Sequence, residues 1–320
     1  MPVERRADWA VAPDVAARAV APGPAAPATP GARIRGLLLA MRPRQWIKNG
    51  LVVTAPAAAG VLGQLDVLVT IALTFVAFSL VSGATYIVND VADVERDRAH
   101  AVKRERPIAA GLVAPHLALI TGALATLAGL ALAAAVRVEL LALVAGYAGL
   151  SVLYTFWLKH VAVLDLAVVA SGFVIRAVAG GVAVDVPISR WFLIVASFGS
   201  LFIVAGKRYS EHVTMGMERE LTRATLAVYS PAYLRYVATT ASSVTLLAYC
   251  LWAFERFGPG GGGALLELSI VPFAISLLRY ALLLDDGLTA APEEVALRDR
   301  PIQLLGLIWA ALFVAGVLVA

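Results

Sequence analysis

Long apolar windows separated by short charged stretches organise this chain. Windows of about 20 apolar residues, the length that crosses the hydrocarbon core of a bilayer, fall near 46–64, 66–88, 114–135, 138–156, 161–182, 189–206, 231–254, 264–284 and 301–320. The pattern predicts an all-α polytopic membrane protein with nine transmembrane helices. Helices are required because an open sheet leaves backbone N–H and C=O groups unsatisfied in lipid. Pro56 and Gly60 interrupt the first window. Residues 1–32 are rich in Ala and Pro and hold no continuous apolar core, which predicts a disordered tail ahead of a transmembrane domain over 33–320.

Composition and charge set the orientation. A mean hydropathy of +0.83 with 15% charged residues excludes an ordinary soluble domain. Cytoplasmic loops attract Lys and Arg. Eight of the 26 Lys and Arg residues lie between the N-terminus and Lys48, five between residues 89 and 111, and four (Lys207, Arg208, Arg219, Arg223) in the 207–223 loop. Lys159, Arg298 and Arg300 fall on the same side, and the alternate loops hold only Arg137, Arg190 and Arg256. The N-terminus and the charged loops are therefore expected in the cytoplasm, on the inner face of a cell membrane. The net charge of +4 follows from this topology and gives no reason to expect nucleic acid. The single Cys250 excludes a disulfide framework, and the glycine run 258–263 lacks the Lys-Ser/Thr of a phosphate loop.

The segment Asn89–Gly111, NDVADVERDRAHAVKRERPIAAG, concentrates the charge. Read as a helix, Asp90, Asp93 and Asp97 share one face and repel one another unless a cation sits between them. Hard oxygen donors suit Mg²⁺, which takes one or two carboxylates and completes its shell with substrate phosphates. Asp90, Asp93 and Asp97, with Asn89 as a fourth oxygen donor, are thus the expected metal ligands, and Lys103, Arg104 and Arg106 the expected counter-charge to phosphates. His100 is the histidine nearest this segment.

Other polar residues sit where an apolar stretch makes them costly. Lys48 and Asn49 continue Arg42–Pro43–Arg44–Gln45–Trp46 into the first window, where an anion would offset the burial of the ammonium. Arg42 and Trp46 read as interfacial anchors. Asp165 and Arg176 project from one side of the fifth span about 16 Å apart, too far to pair with each other. Tyr154 and Lys159 flank the cytoplasmic end of the fourth span. Gly206–Lys207–Arg208–Tyr209–Ser210–Glu211 opens a second charged loop in the equivalent place of a four-helix quasi-repeat. Gly172, Gly180 and Gly181 permit close helix contacts, within the chain or in a homo-oligomer.

These residues resemble the UbiA superfamily of intramembrane prenyltransferases, whose N-D-x-x-D-x-x-x-D segment is matched by Asn89, Asp90, Asp93 and Asp97. The likeness covers about residues 36–320. Relatives that use an isoprenyl diphosphate carry a second D-x-x-x-D motif after the sixth helix, where this chain has Lys207, Arg208, Tyr209 and Glu211. RPRQWIKN, LDLAVVASGFVIRAVAGG and GKRYSE resemble the decaprenyl-phosphate phosphoribosyltransferase branch, which implies transfer of phosphoribose from 5-phosphoribosyl 1-diphosphate to a polyprenyl phosphate for cell-wall arabinan. On that resemblance Asp90, Asp93 and Asp97 would hold Mg²⁺ and the donor diphosphate. Lys207, Arg208 and Tyr209 would take the donor 5-phosphate, and Lys48 with Asn49 the lipid phosphate. The alternative is an aromatic prenyltransferase of the same superfamily using a polyprenyl diphosphate, and a transporter is the reading from another class.

Overall fold

The structure is a computed structural model that describes residues 29–100, 102–214, 225, 228–255, 262–285, 295 and 298–319. The expected tail up to residue 28, residues 258–261 of the glycine run, and Arg219, Arg223 and Arg256 lie outside the described residues. Helix α1 (Pro30–Ala40) starts inside the stretch assigned to the tail, where Pro30 opens it and the Thr29 hydroxyl accepts from the Ala32 N–H at 3.3 Å.

A 3₁₀ stretch (Pro43–Val53) runs into the short α2 (Thr54–Ala58). Then come α3 (Leu65–Ala92), α4 (Val94–Ala99), a 3₁₀ turn (Lys103–Glu105), α5 (Pro115–Val136), α6 (Val138–Phe156), a 3₁₀ turn (Leu158–His160) and α7 (Leu164–Ala183). Helices α8 (Arg190–Thr214), α9 (Pro231–Glu255), α10 (Gly262–Asp285) and α11 (Arg300–Val319) complete the described chain. Among the described residues eight helices, α3 and α5–α11, are long and apolar enough to cross a membrane. They fall into two sets of four, α3 with α5–α7 and α8–α11, joined where α7 packs on α8.

The expected first span is not a single helix. Arg42 pairs with Asp90 near the C-terminal end of α3, whereas Leu65 begins α3, so the chain between them runs the length of that helix. Pro56 has no N–H to donate to Val52 O, which removes the α-helical bond at that point. Val52 O instead lies so close to α7 that a Cβ on Gly180 would stand 1.7 Å from it. The distorted stretch is thus wedged against a glycine of α7. Gly181 next to it faces Ala55 and Ile188, so both glycines serve contacts within the chain.

Packing positions the charged segment. Gly129 of α5 meets Ala77 and Val81 of α3, and a Cβ there would be 2.9 Å from Ala77 O. Beyond that contact, Ala40, Met41, Ala84, Ile87, Ile108 and Val113 form one buried cluster, which clamps both limbs of the 93–113 segment to the end of α3.

Candidate active site

The aspartates do not share one face of a continuous helix. Helix α3 ends at Ala92 and α4 begins at Val94, with Asp93 between them at φ −100°, ψ 12°. The break separates the carboxylates. Asp90 and Asp97, 2% and 3% exposed, both meet Arg106 Nη1, at 3.1 and 2.6 Å. Arg42 Nη2 donates to the same Asp90 Oδ1 at 2.5 Å. Asp93 faces Lys159, whose Nζ donates to both carboxylate oxygens at 3.0 and 3.1 Å, and accepts from Arg96 at 3.2 Å. Of the residues expected to bind metal, Asp90 and Asp97 meet on Arg106 and Asp93 meets Lys159, while Asn89 lines the neighbouring cavity. Among the described residues no cluster of three or more His, Cys, Asp or Glu side chains is placed to hold a metal ion. The pair nonetheless places two carboxylates around a single cationic nitrogen, and hard oxygen donors in that number fit a divalent ion that takes the rest of its shell from phosphates.

Beside this pair a cavity of about 250 Å³ opens between α3, α6, α7 and the 3₁₀ stretch. Thr85, Tyr86 and Asn89 line it from one face of α3, Tyr147, Ser151 and Tyr154 from α6, and Gly172, Phe173 and Arg176 from α7. Lys48 and Arg42 complete the wall, so three cations and no carboxylate line the space. Such a lining attracts anions, and its hydroxyls and amide suit phosphate or sugar oxygens.

Arg176, 6% exposed, is fixed on three sides. Its Nε donates to Asn49 Oδ1, Nη1 to Gly172 O and Nη2 to Tyr147 OH, each at 2.7 Å. Of five guanidinium N–H groups, one on each Nη is left for a ligand. Asn49 is held in turn, donating to Ser79 Oγ at 3.0 Å and Ser82 Oγ at 3.3 Å. Tyr154, one face of α6 further on, donates to Asp165 Oδ1 at 2.8 Å. Asp165 is fully buried and accepts from Arg208 Nε at 3.1 Å and Nη2 at 3.2 Å. The N-terminus of α7 near Asp165 is strained: Val163 sits at φ 69°, and its N–H donates to Tyr229 OH at 2.7 Å.

The second basic set departs from expectation. Residues 207–211 are the last turns of α8, not a loop. Arg208 neutralises Asp165 and pairs with Glu211 at 3.1 Å. Tyr209 points to the other side of α8, between Arg235 Nη2 at 2.8 Å and Asp285 Oδ1 at 3.2 Å. Neither lines the cavity, and neither does Lys207. Lys103 and exposed Arg104 lie on the 3₁₀ turn, away from the cavity wall, and His100 Nδ1 accepts from the N–H groups of Val102 and Lys103, a turn-forming role. Sequence reading missed Arg42, Tyr86 and Tyr147. Arg42 reads as a headgroup anchor, yet at φ 54° it turns back over the Tyr86 ring, 4.8 Å from its centroid, to reach Asp90. The spacing of Tyr147, Ser151 and Tyr154 on α6, facing Arg176 and Asp165, was the signal that would have found the tyrosine.

Residues 50–297 match the UbiA prenyltransferase family. This chain belongs to the UbiA prenyltransferase family. It is 45% identical over 292 residues to the decaprenyl-phosphate phosphoribosyltransferase of Mycobacterium tuberculosis, covering 90% of this chain and 96% of that protein. To the protein of the same name from Corynebacterium glutamicum it is 42% identical over 287 residues, 88% of this chain and 86% of that one. The UbiA fold also matches that of a UbiA homolog from Archaeoglobus fulgidus bound to GPP and Mg²⁺, with a TM-score of 0.67 at 16% identity over 89% of this chain and 100% of the other. The chain is thus a multi-pass membrane protein of the UbiA family, and the cavity with its aspartate pair is its candidate active site.

Proposed function

We propose that this protein transfers 5-phosphoribose from 5-phosphoribosyl 1-diphosphate to a polyprenyl phosphate, releasing diphosphate, on the cytoplasmic face of the cell membrane. The observation that carries the reading is the cavity wall of Arg42, Lys48 and Arg176 without a carboxylate, beside a single aspartate pair. Both substrates are phosphate esters, so the site must hold several anions at once. Identity to the phosphoribosyltransferases of that name over most of both chains supports the same donor.

In this reading Asp90 and Asp97 hold Mg²⁺, which when bound neutralises the charge that grows on the departing diphosphate. Arg106 and Arg42, already at the aspartates, face the same leaving group. Arg176 directs its two remaining N–H groups into the cavity toward a phosphate, and Asn49 and Tyr147 keep the guanidinium from turning away. Lys48 anchors the lipid phosphate, whose oxygen attacks C1 of the ribose as the C1–O bond to diphosphate breaks. The bonding pair leaves with the diphosphate. The attacking phosphate is already ionised, so the step needs no general base, and orientation with charge stabilisation supplies the rate. The Tyr154–Asp165–Arg208 chain holds the cavity's cytoplasmic rim.

Asp90→Asn and Asp97→Asn each remove Mg²⁺-dependent diphosphate release from 5-phosphoribosyl 1-diphosphate by about 10²-fold or more, as expected when an electrostatic group at the leaving charge is lost. Melting temperature in detergent checks that the fold is intact. Turnover at the wild-type rate in both variants would contradict the assignment.

A further inference from the structure

Asp90 and Asp97 are buried carboxylates of like charge, so a positive charge must stand between them whether or not substrate is present. Arg106 supplies it through a single nitrogen, Nη1, at 3.1 and 2.6 Å from the two side chains. Arg42 reaches Asp90, whereas Arg106 meets both carboxylates. Arg106 stands on extended backbone at φ −60°, ψ 142°, between the 3₁₀ turn Lys103–Glu105 and Pro107, outside any long helix, and its side chain is 27% exposed. Its side chain can therefore leave without unwinding an element that packs the core.

We propose that Arg106 is a displaceable counter-ion. It fills the place between Asp90 and Asp97 that a divalent cation takes when donor arrives, and it then turns its forked N–H groups to the donor diphosphate. The inference rests on the proposed function. A guanidinium and a metal ion cannot share one point between the carboxylates, because they repel each other. Arginine suits both positions, since its planar fork matches carboxylate and phosphate oxygens alike. The exchange holds metal affinity low until diphosphate is present, which couples the two ligands, and such coupling is reciprocal.

The test is Mn²⁺ binding to the purified full-length protein without donor, followed by electron paramagnetic resonance. Arg106→Gln, which removes the charge and keeps the size, binds Mn²⁺ roughly tenfold more tightly than wild type, within the ordinary range of site-to-site coupling. The same variant shows a raised KM for 5-phosphoribosyl 1-diphosphate, with a smaller change in kcat. Arg106→Lys restores wild-type weakness toward Mn²⁺, because the charge is back. Binding of Mn²⁺ to Arg106→Gln that is equal to or weaker than wild type overturns the inference, a fall in melting temperature then marking Arg106 as a structural brace. The proposed function fails separately, through absence of phosphoribosyl transfer in the wild-type protein.

Discussion

Arg176 fixes a positive charge within the helix bundle by bonding to a side-chain amide, a backbone carbonyl and a phenol. Lysine at this position keeps the charge and loses the fork. Arg176→Lys therefore leaves Asn49 and Tyr147 without their partner, and each lost bond to a charged group costs about 1.5–3 kcal/mol. We expect kcat/KM to fall roughly 10²-fold, most of it in KM, and steady-state assays across donor concentration check this. Asp165 and Arg176 were legible in the sequence because an ionisable residue in a span is expensive and needs a reason. What each one meets was not legible: Arg176 reaches Asn49, 127 positions away in the chain. Arg42 was missed for the same reason, since its partner Asp90 lies 48 positions away and an arginine before a span has an ordinary alternative as a headgroup anchor.

At the scale of elements, the site depends on two departures from regular helix. One is the break at Asp93, which turns three in-line aspartates into a pair plus one; a spacing argument assumes the helix continues and so predicts a trio. The other is the 3₁₀ stretch held against Gly180. A methyl group at Gly180 would overlap Val52 O, so Gly180→Ala pushes the stretch off α7 and moves Lys48 and Asn49 with it. The expected result is a melting temperature lower by several degrees together with loss of turnover, read by thermal unfolding and activity on the same preparation. Helix α11 offers a pH test. Asp299 precedes it, accepting from the Ile302 N–H at 2.9 Å and from Arg279 Nη2 at 2.8 Å, and the Arg279 bond first, with the helix N–H after it, holds the Asp299 carboxyl below its ordinary range. A lowered folded-state pKa contributes stability that is full above the unfolded value near 3.8 and is lost as pH falls through the folded value. Wild type is thus more stable than Asp299→Asn at pH 7, and the gap closes as pH drops below about 4 in melting curves.

For the whole molecule, hydropathy gave the class and eight of the nine expected spans as long helices; the ninth differs because Pro56 and Gly180 impose a distorted path. The two four-helix sets differ in chemistry. The first set, together with the 3₁₀ stretch and its Arg42 cap and with α4, builds the aspartate pair, the cavity and its three cations, whereas the second contributes Arg208 as a buried neutraliser of Asp165. Arg208 and Tyr209, expected in a phosphate pocket, meet Asp165 and Asp285, because sequence shows charge without showing which carboxylate lies beside it. The three cations that line the cavity, Arg42, Lys48 and Arg176, form a wall suited to anions. The central claim is that this wall serves phosphoribosyl transfer to a lipid phosphate. Purified protein in lipid nanodiscs with Mg²⁺ would be given 5-phosphoribosyl 1-diphosphate and a polyprenyl phosphate, and in parallel a polyprenyl diphosphate and an aromatic acid acceptor, with products followed by mass spectrometry. The account predicts a phosphoribosylated polyprenyl phosphate in the first mixture and no prenylated aromatic in the second; a prenylated aromatic with no phosphoribosyl lipid would contradict it.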